Sequence, residues 1–200
     1  MGDFMDFFDL HCDTLTECMD DGDSLLKNER DIDFERGSIF GRWNQVFAVF
    51  VPDSMDDSLV ESYFDSACDF YLSELKKKGD FFPILSAEDV RGHSRGVMLA
   101  MESSRGVGSL ERLEKLYERG LRLITLTWNH KNRAAGGCDE GGGLTDWGRE
   151  LVSKMEKLGI VTDVSHLSDR SFYDLCEFSD APFIASHSDA RAVHNEVRSL

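Results

Sequence analysis

Short apolar runs alternate along this chain with stretches of helical spacing, and that alternation constrains the fold more than any other feature. The runs fall at residues 5–11, 44–51 (NQVFAVFV), 96–102 (GVMLAME), 121–128 (LRLITLTW), 160–166 (IVTDVSH) and 182–188 (PFIASHS). The second is mostly apolar, as a strand covered on both faces would be. Ser54 predicts the start of a helix that places Leu59, Val60, Tyr63, Phe64, Ala67, Tyr71 and Leu75 on one face. Asp56 and Asp57 fall in its first turn, Lys76–Lys78 in its last and Gly79 just beyond, all favourable to the helix dipole and the C-cap. Further helices are expected from Ser109 to Gly120, from Thr145 to Leu158 before Gly159, and from Ser168 to about Phe178, and the last residues start one more.

Strands joined to helices through short loops imply a parallel sheet with right-handed crossovers. No shift in composition marks an internal boundary, so residues 1–200 are expected to form a single domain. A dinucleotide-binding sheet would carry a G-x-G-x-x-G turn after its first strand, and the stretch FFDLHCDTLT (7–16) has none. The positions of the polar residues favour a (β/α)8 barrel instead.

In FFDLHCDTLT, strand alternation puts His11 and Asp13 on one face and Cys12 on the other, where it packs. Glu102 ends the third run, His166 the fifth and His187 the sixth. All five lie at the C-terminal ends of expected strands, the face on which a parallel barrel builds its active site. Three histidines and two carboxylates suit zinc and exceed what one tetrahedral ion needs. A carboxylate such as Glu102 can bridge two ions, and after a run as apolar as GVMLA it is costly unless paired or bound to a cation.

The formal net charge of −16 argues against nucleic acid and against an anionic membrane surface as partners. Five cysteines without a C-x-x-C pair imply reduced thiols. The acidic start MGDFMDFFDL is unlike a signal peptide, and no apolar stretch reaches membrane-spanning length, so a cytoplasmic location is expected. AAGGCDEGGG lacks the Lys-Ser/Thr ending of a phosphate loop and is expected to be a mobile loop over the site. His93 and His194 are expected at the surface. Asp163, three residues before His166, falls on the opposite face of that strand, as a helix-contacting or capping partner or as a group that supports a ligand.

The motifs DLHCDT, GVMLAMES, GLRLITLTWNH, GIVTDVSHLSD and PFIASHSDARAVHNEVRSL occur in one order over nearly the whole chain. In them the chain resembles the membrane (renal) dipeptidases, zinc metallopeptidases on a TIM barrel, and looks most like their soluble bacterial members. The resemblance implies an α/β metal-dependent hydrolase fold of which residues 1–200 are the N-terminal two thirds, about six of eight β/α units. It implies two Zn2+ ions, one on His11 and Asp13, the other on His166 and His187, with Glu102 bridging and a water between the ions attacking the peptide bond of a small dipeptide. Arg198 matches the arginine that takes the substrate carboxylate, a task suited to a bidentate guanidinium.

Two departures stand out. Trp128 occupies the place of a histidine that polarises the substrate in relatives of the kidney enzyme, which leaves His130, two residues on, as the catalytic and substrate-binding substitute. The family barrel also continues past the sixth strand to an aspartate that handles the proton, whereas this sequence stops at Leu200. A second copy of the chain or a C-terminal segment is therefore expected to complete the barrel. Two other functions fit the same ligands: hydrolysis of a lactone, cyclic amide or phosphoester, and a non-catalytic chain that binds metal or a partner.

Overall fold

In the computed structural model, residues 6–77 and 81–200 are described. Met5, Lys78 and Gly79, which figure in the expected first strand and the expected helix end, lie outside them. Seven strands form one parallel sheet: β1 (Asp6–Asp9), β2 (Arg42–Phe50), β3 (Phe82–Pro83), β4 (Arg95–Glu102), β5 (Leu121–Thr125), β6 (Val161–Asp163) and β7 (Phe183–Ile184). Their order is β1-β2-β4-β5-β6-β7, with the short β3 paired to the start of β4. The helices are α1 (Thr14–Asp21), α2 (Phe34–Gly37), α3 (Asp57–Lys77), α4 (Ala87–Gly92), α5 (Leu110–Glu118), α6 (Asp146–Leu158) and α7 (Asp169–Phe178). The sheet curves into a half-barrel of the TIM-barrel type. Among the described residues β1 and β7 are its two edges.

Strand alternation divides the core in two. Phe47, Val49, Val97, Leu99 and Met101 face outward into the large cluster beneath the helices, where Phe64, Ala67, Cys68 and Tyr71 of α3 are fully buried. Tyr71 Oη donates to Val97 O at 3.1 Å, so the polar tip of this buried ring is satisfied by the strand it covers. Val46, Ala48, Ala100 and Leu123 face the other way and form the small barrel interior.

Register carries this interior face to the barrel mouth. Phe50 is paired with Glu102, Glu102 with Thr125, and Thr125 with Asp163. One layer above the apolar interior thus holds two carboxylates and a hydroxyl.

Helix ends follow the sequence closely where a capping residue is present. Ser109, Thr145 and Ser168 each accept a backbone N–H as N-cap, and Gly159 closes α6 in the left-handed conformation at φ 79°. α3 begins at Asp57 rather than from Ser54, because Asp56 Oδ1 takes the Ser58 N–H at 2.9 Å and so supplies the cap. Four helical segments (α1, α2, α4 and the 3-10 turn Ser104–Val107) and β3 arise where no element was expected. The expected last helix does not form, and residues 189–200 are turns, bends and irregular chain.

Four expected strands end early. β1 stops at Asp9, β5 at Thr125, β6 at Asp163 and β7 at Ile184. Asp13 does not continue a strand beside His11; it is the N-cap residue of α1, with no side-chain cap bond. AAGGCDEGGG is not a loose lid either. Residues 134–138 are buried, Cys138 N donates to His166 O at 2.9 Å, and Gly137 bridges Leu167. Its glycines allow this packing, since a Cβ on Gly136 or Gly137 would lie 2.1 Å from Gly141 O or 2.4 Å from Asn129 O.

Candidate metal centre

The five expected ligands converge at the barrel mouth, on a cavity of about 360 Å³ lined by His11, Asp13, Phe50, Glu102, Trp128, His166, His187 and Arg198. Glu102 sits at its centre, only 3% exposed. Its two oxygens face different neighbours. Oε2 lies 3.7 Å from His11 Nε2, while Oε1 lies 2.8 Å from His166 Nε2 and 3.5 Å from His187 Nε2. His11 Nε2 is also 3.4 Å from Asp13 Oδ1. Ligand atoms of His11, Glu102 and His187 all fall within 4.8 Å of one another, a spacing one cation can span.

Electrostatics follow from this crowding. Burial alone would raise the Glu102 pKa, but the close approach of the His166 and His187 imidazoles and the influence of His11 outweigh it and hold the carboxyl well below its ordinary range. Burial lowers the His166 pKa, and its proximity to Glu102 does not reverse that. Burial would also lower His11, but Asp13, Glu102 and Asp163 together raise it.

His166 lies beyond its strand, in a turn with φ 69°. This left-handed conformation strains a residue with a Cβ, and the surroundings over-determine it. Its carbonyl accepts from Cys138 N at 2.9 Å and Thr127 Oγ1 at 3.2 Å, and its Nδ1 donates to Asn129 Oδ1 at 2.8 Å. Ser103, the other non-glycine residue with positive φ among the described residues, directly follows Glu102. The backbone strain in the described residues is therefore concentrated beside two candidate ligands.

The turn at His166 also upsets the alternation argument for Asp163. Asp163 is fully buried on the mouth side of β6 and accepts four hydrogen bonds, from Thr125 Oγ1, Ser165 N, Ser186 N and Ser186 Oγ. Asn129 and Ser186 were not singled out by strand spacing. The signal that finds them is chemical: a ligating imidazole needs an acceptor for its second nitrogen, and both residues supply one.

The donor set fits a cation. His166 Nδ1 meets the Asn129 amide oxygen, which can only accept, so a neutral His166 turns a bare Nε2 toward the Glu102 carboxylate, and His187 Nε2 lies 2.9 Å from that nitrogen. An unprotonated nitrogen and a carboxylate then meet at 2.8 Å, which a proton or a metal ion resolves.

Arg198 borders the same cavity. Its Nη2 donates to His187 O at 3.4 Å and its Nε is buried without a partner, so the guanidinium has donors to spare. Phe50 and Trp128 form an edge-to-face wall with centroids 5.0 Å apart. His130 is not brought into this group. It is exposed, its N and Nδ1 both bond Asp53 Oδ2 at 3.1 and 2.7 Å, and it lines a separate cleft of about 690 Å³.

A parallel β/α half-barrel with histidines and carboxylates gathered at its C-terminal mouth has the architecture of a metal-dependent hydrolase. The chain belongs to the membrane dipeptidase family (peptidase family M19), whose sequence profile matches residues 3–200. It is 32% identical over 129 residues to an uncharacterized protein encoded in the pqqA 5′ region of Klebsiella pneumoniae, a match that covers 58% of this chain and 48% of that protein. Its fold is similar to that of dipeptidase AC, a metallopeptidase (TM-score 0.88, 24% identity, 98% of this chain and 67% of that one). It is also similar to a metallopeptidase from Rhodobacter sphaeroides, solved with a phosphinate mimic of the dipeptide L-Ala-D-Ala (TM-score 0.86, 23% identity, 99% of this chain and 69% of that one). The chain spans less than half the length of the curated relatives it matches. Among the described residues no helix is long and apolar enough to cross a membrane.

Proposed function

We propose that residues 1–200 form one domain that carries the metal ligands and substrate clamp of a zinc-dependent dipeptidase. The observation that supports it most is the division of the Glu102 carboxylate, one oxygen toward His11 and the other toward His166 and His187. On this reading His11 and Asp13 hold one Zn2+, His166 and His187 the other, and Glu102 bridges them. Such a pair supplies a nucleophilic water near neutral pH and polarises the scissile carbonyl. Arg198 takes the carboxylate of the dipeptide with the donors it has free. Phe50 and Trp128 exclude water from one side of the cavity.

The chain spans 67–69% of the two solved relatives, and the proposal accordingly assigns to it the metal ligands and the carboxylate clamp rather than the complete reaction. The membrane dipeptidase family match, together with a similar metallopeptidase liganded with a dipeptide mimic, favours dipeptides over lactones and phosphoesters as the substrate class. The test is metal content per chain by mass spectrometry, after purification without chelator and addition of zinc, followed by calorimetry with a phosphinate dipeptide mimic. Two equivalents of zinc, lost in His11→Ala and in His187→Ala, with mimic binding weakened in Arg198→Ala, would support the reading. Less than one equivalent in folded protein would refute it.

A further inference from the structure

We propose that Ser186 is a positioning residue that, anchored by Asp163, holds the His187 ring in the tautomer whose Nε2 is free for a cation. The inference rests on the metal-binding reading above and deepens it. Ser186 Oγ lies 2.6 Å from Asp163 Oδ2 and 2.7 Å from His187 Nδ1. A hydroxyl carries a single hydrogen. Every other contact of Asp163 is a donor, namely Thr125 Oγ1 at 2.7 Å, Ser165 N at 3.1 Å and Ser186 N at 3.0 Å. The carboxylate is thus an acceptor throughout, and the Ser186 hydrogen goes to it. Ser186 Oγ then faces His187 with a lone pair, so His187 Nδ1 must carry the proton and Nε2 must be bare.

The anchor is rigid. Asp163 is fully buried, Thr125 is 1% exposed, and both lie in the register layer that contains Glu102. Ser165 adds a second tie, since its Oγ accepts from His187 N at 3.1 Å. β7 is an edge strand of two residues, too short to orient by itself a side chain three residues past its end. The side-chain chain from β5 and β6 through Ser186 does what the strand cannot. His166 reaches the same tautomer through a different device, the Asn129 amide oxygen.

The decisive experiment is nitrogen NMR of the 15N-histidine-labelled, metal-free full chain, recorded above the ordinary histidine pKa, for the wild type, Ser186→Ala and Ser186→Thr. The wild type should show a protonated Nδ1 and an unprotonated Nε2 at His187. Ser186→Ala should give a mixture of tautomers and a fall in Zn2+ affinity of about 10–100-fold by calorimetry, and Ser186→Thr, which keeps the hydroxyl, should restore both. A wild-type His187 protonated at Nε2, or a Ser186→Ala variant with unchanged tautomer and affinity, overturns the proposal. The expected tautomers in a protein that binds no zinc would uphold the role of Ser186 while refuting the dipeptidase reading, so the two failures are distinguishable.

Discussion

The rings of His11 and His187 lie with their centroids 3.9 Å apart, although His11 follows β1 and His187 follows β7, the opposite edges of the sheet. Both also approach Glu102, which ends the central strand β4. A cation held there ties the first, middle and last strands of the half-barrel together.

Zinc is therefore expected to stabilise the whole fold and not only the mouth. Binding to the native state adds about 1.4 kcal/mol for each tenfold excess over Kd, and a chain of this size gains about 2–4 °C in Tm per kcal/mol. Calorimetric melts with increasing zinc should rise accordingly in the wild type and stay flat in His11→Ala and His187→Ala. Equal shifts in all three proteins would mean the metal binds elsewhere.

Replacing His130 should leave the metal centre alone. The ring is exposed and bonded to Asp53, away from the cavity that Glu102 occupies. His130→Ala is expected to keep the zinc content of the wild type and to change stability by less than about 0.5 kcal/mol. A loss of zinc in this variant would contradict the geometry.

Asp33 should give the fold an acid-sensitive contribution. Its buried carboxylate caps α2, accepting Arg36 N and Arg36 Nε, each at 2.7 Å. Burial would raise its pKa, but the bonds from Arg36 and Asn28 lower it overall. A depressed native pKa means the stabilisation is complete above the ordinary aspartate value and is lost as pH falls through the native one. Urea midpoints should fall at acid pH less steeply in Asp33→Asn, which keeps a cap, whereas Asp33→Ala should lose about 1–2 kcal/mol at neutral pH. Identical pH profiles for the wild type and Asp33→Asn would count against this account.

A glycine-to-alanine change inside an exposed helix ordinarily gains about 1 kcal/mol. Gly148 in α6 should reverse that sign. A Cβ there would sit 2.1 Å from the Ala134 carbonyl oxygen, which belongs to the packed glycine loop. Gly148→Ala is expected to cost about 1–3 kcal/mol by urea unfolding. A gain in stability would show that the loop yields freely.

Much of this was legible in the order of residues. The apolar runs at 44–51 and 96–102 became β2 and β4, and Ser109, Thr145, Ser168 and Gly159 bounded their helices as the capping residues required. The five metal-competent residues could likewise be picked out, because residue type and spacing along the chain are properties of short stretches; only Glu102 of the five ends its strand. Less legible were the short elements. α4 has a Ser86–Asp89 capping box but only six residues, and β3 only two, too few for a period to emerge.

The sequence by itself determined the β/α alternation, the helix ends and which side chains could bind metal, because each depends on neighbours within a few positions. Tertiary structure alone decided how those side chains are presented. Strand alternation put Asp163 on the wrong face and kept His166 and Asp13 in strands, whereas the fold turns the chain at His166, starts α1 at Asp13 and buries Asp163 beneath Ser186. It also parted His130 from the cavity and placed Asn129 against His166. Apart from the start of α1, whose bonds are local, these outcomes rest on hydrogen bonds between residues 21 to 77 positions apart, which form only when the sheet has brought its distant strands together.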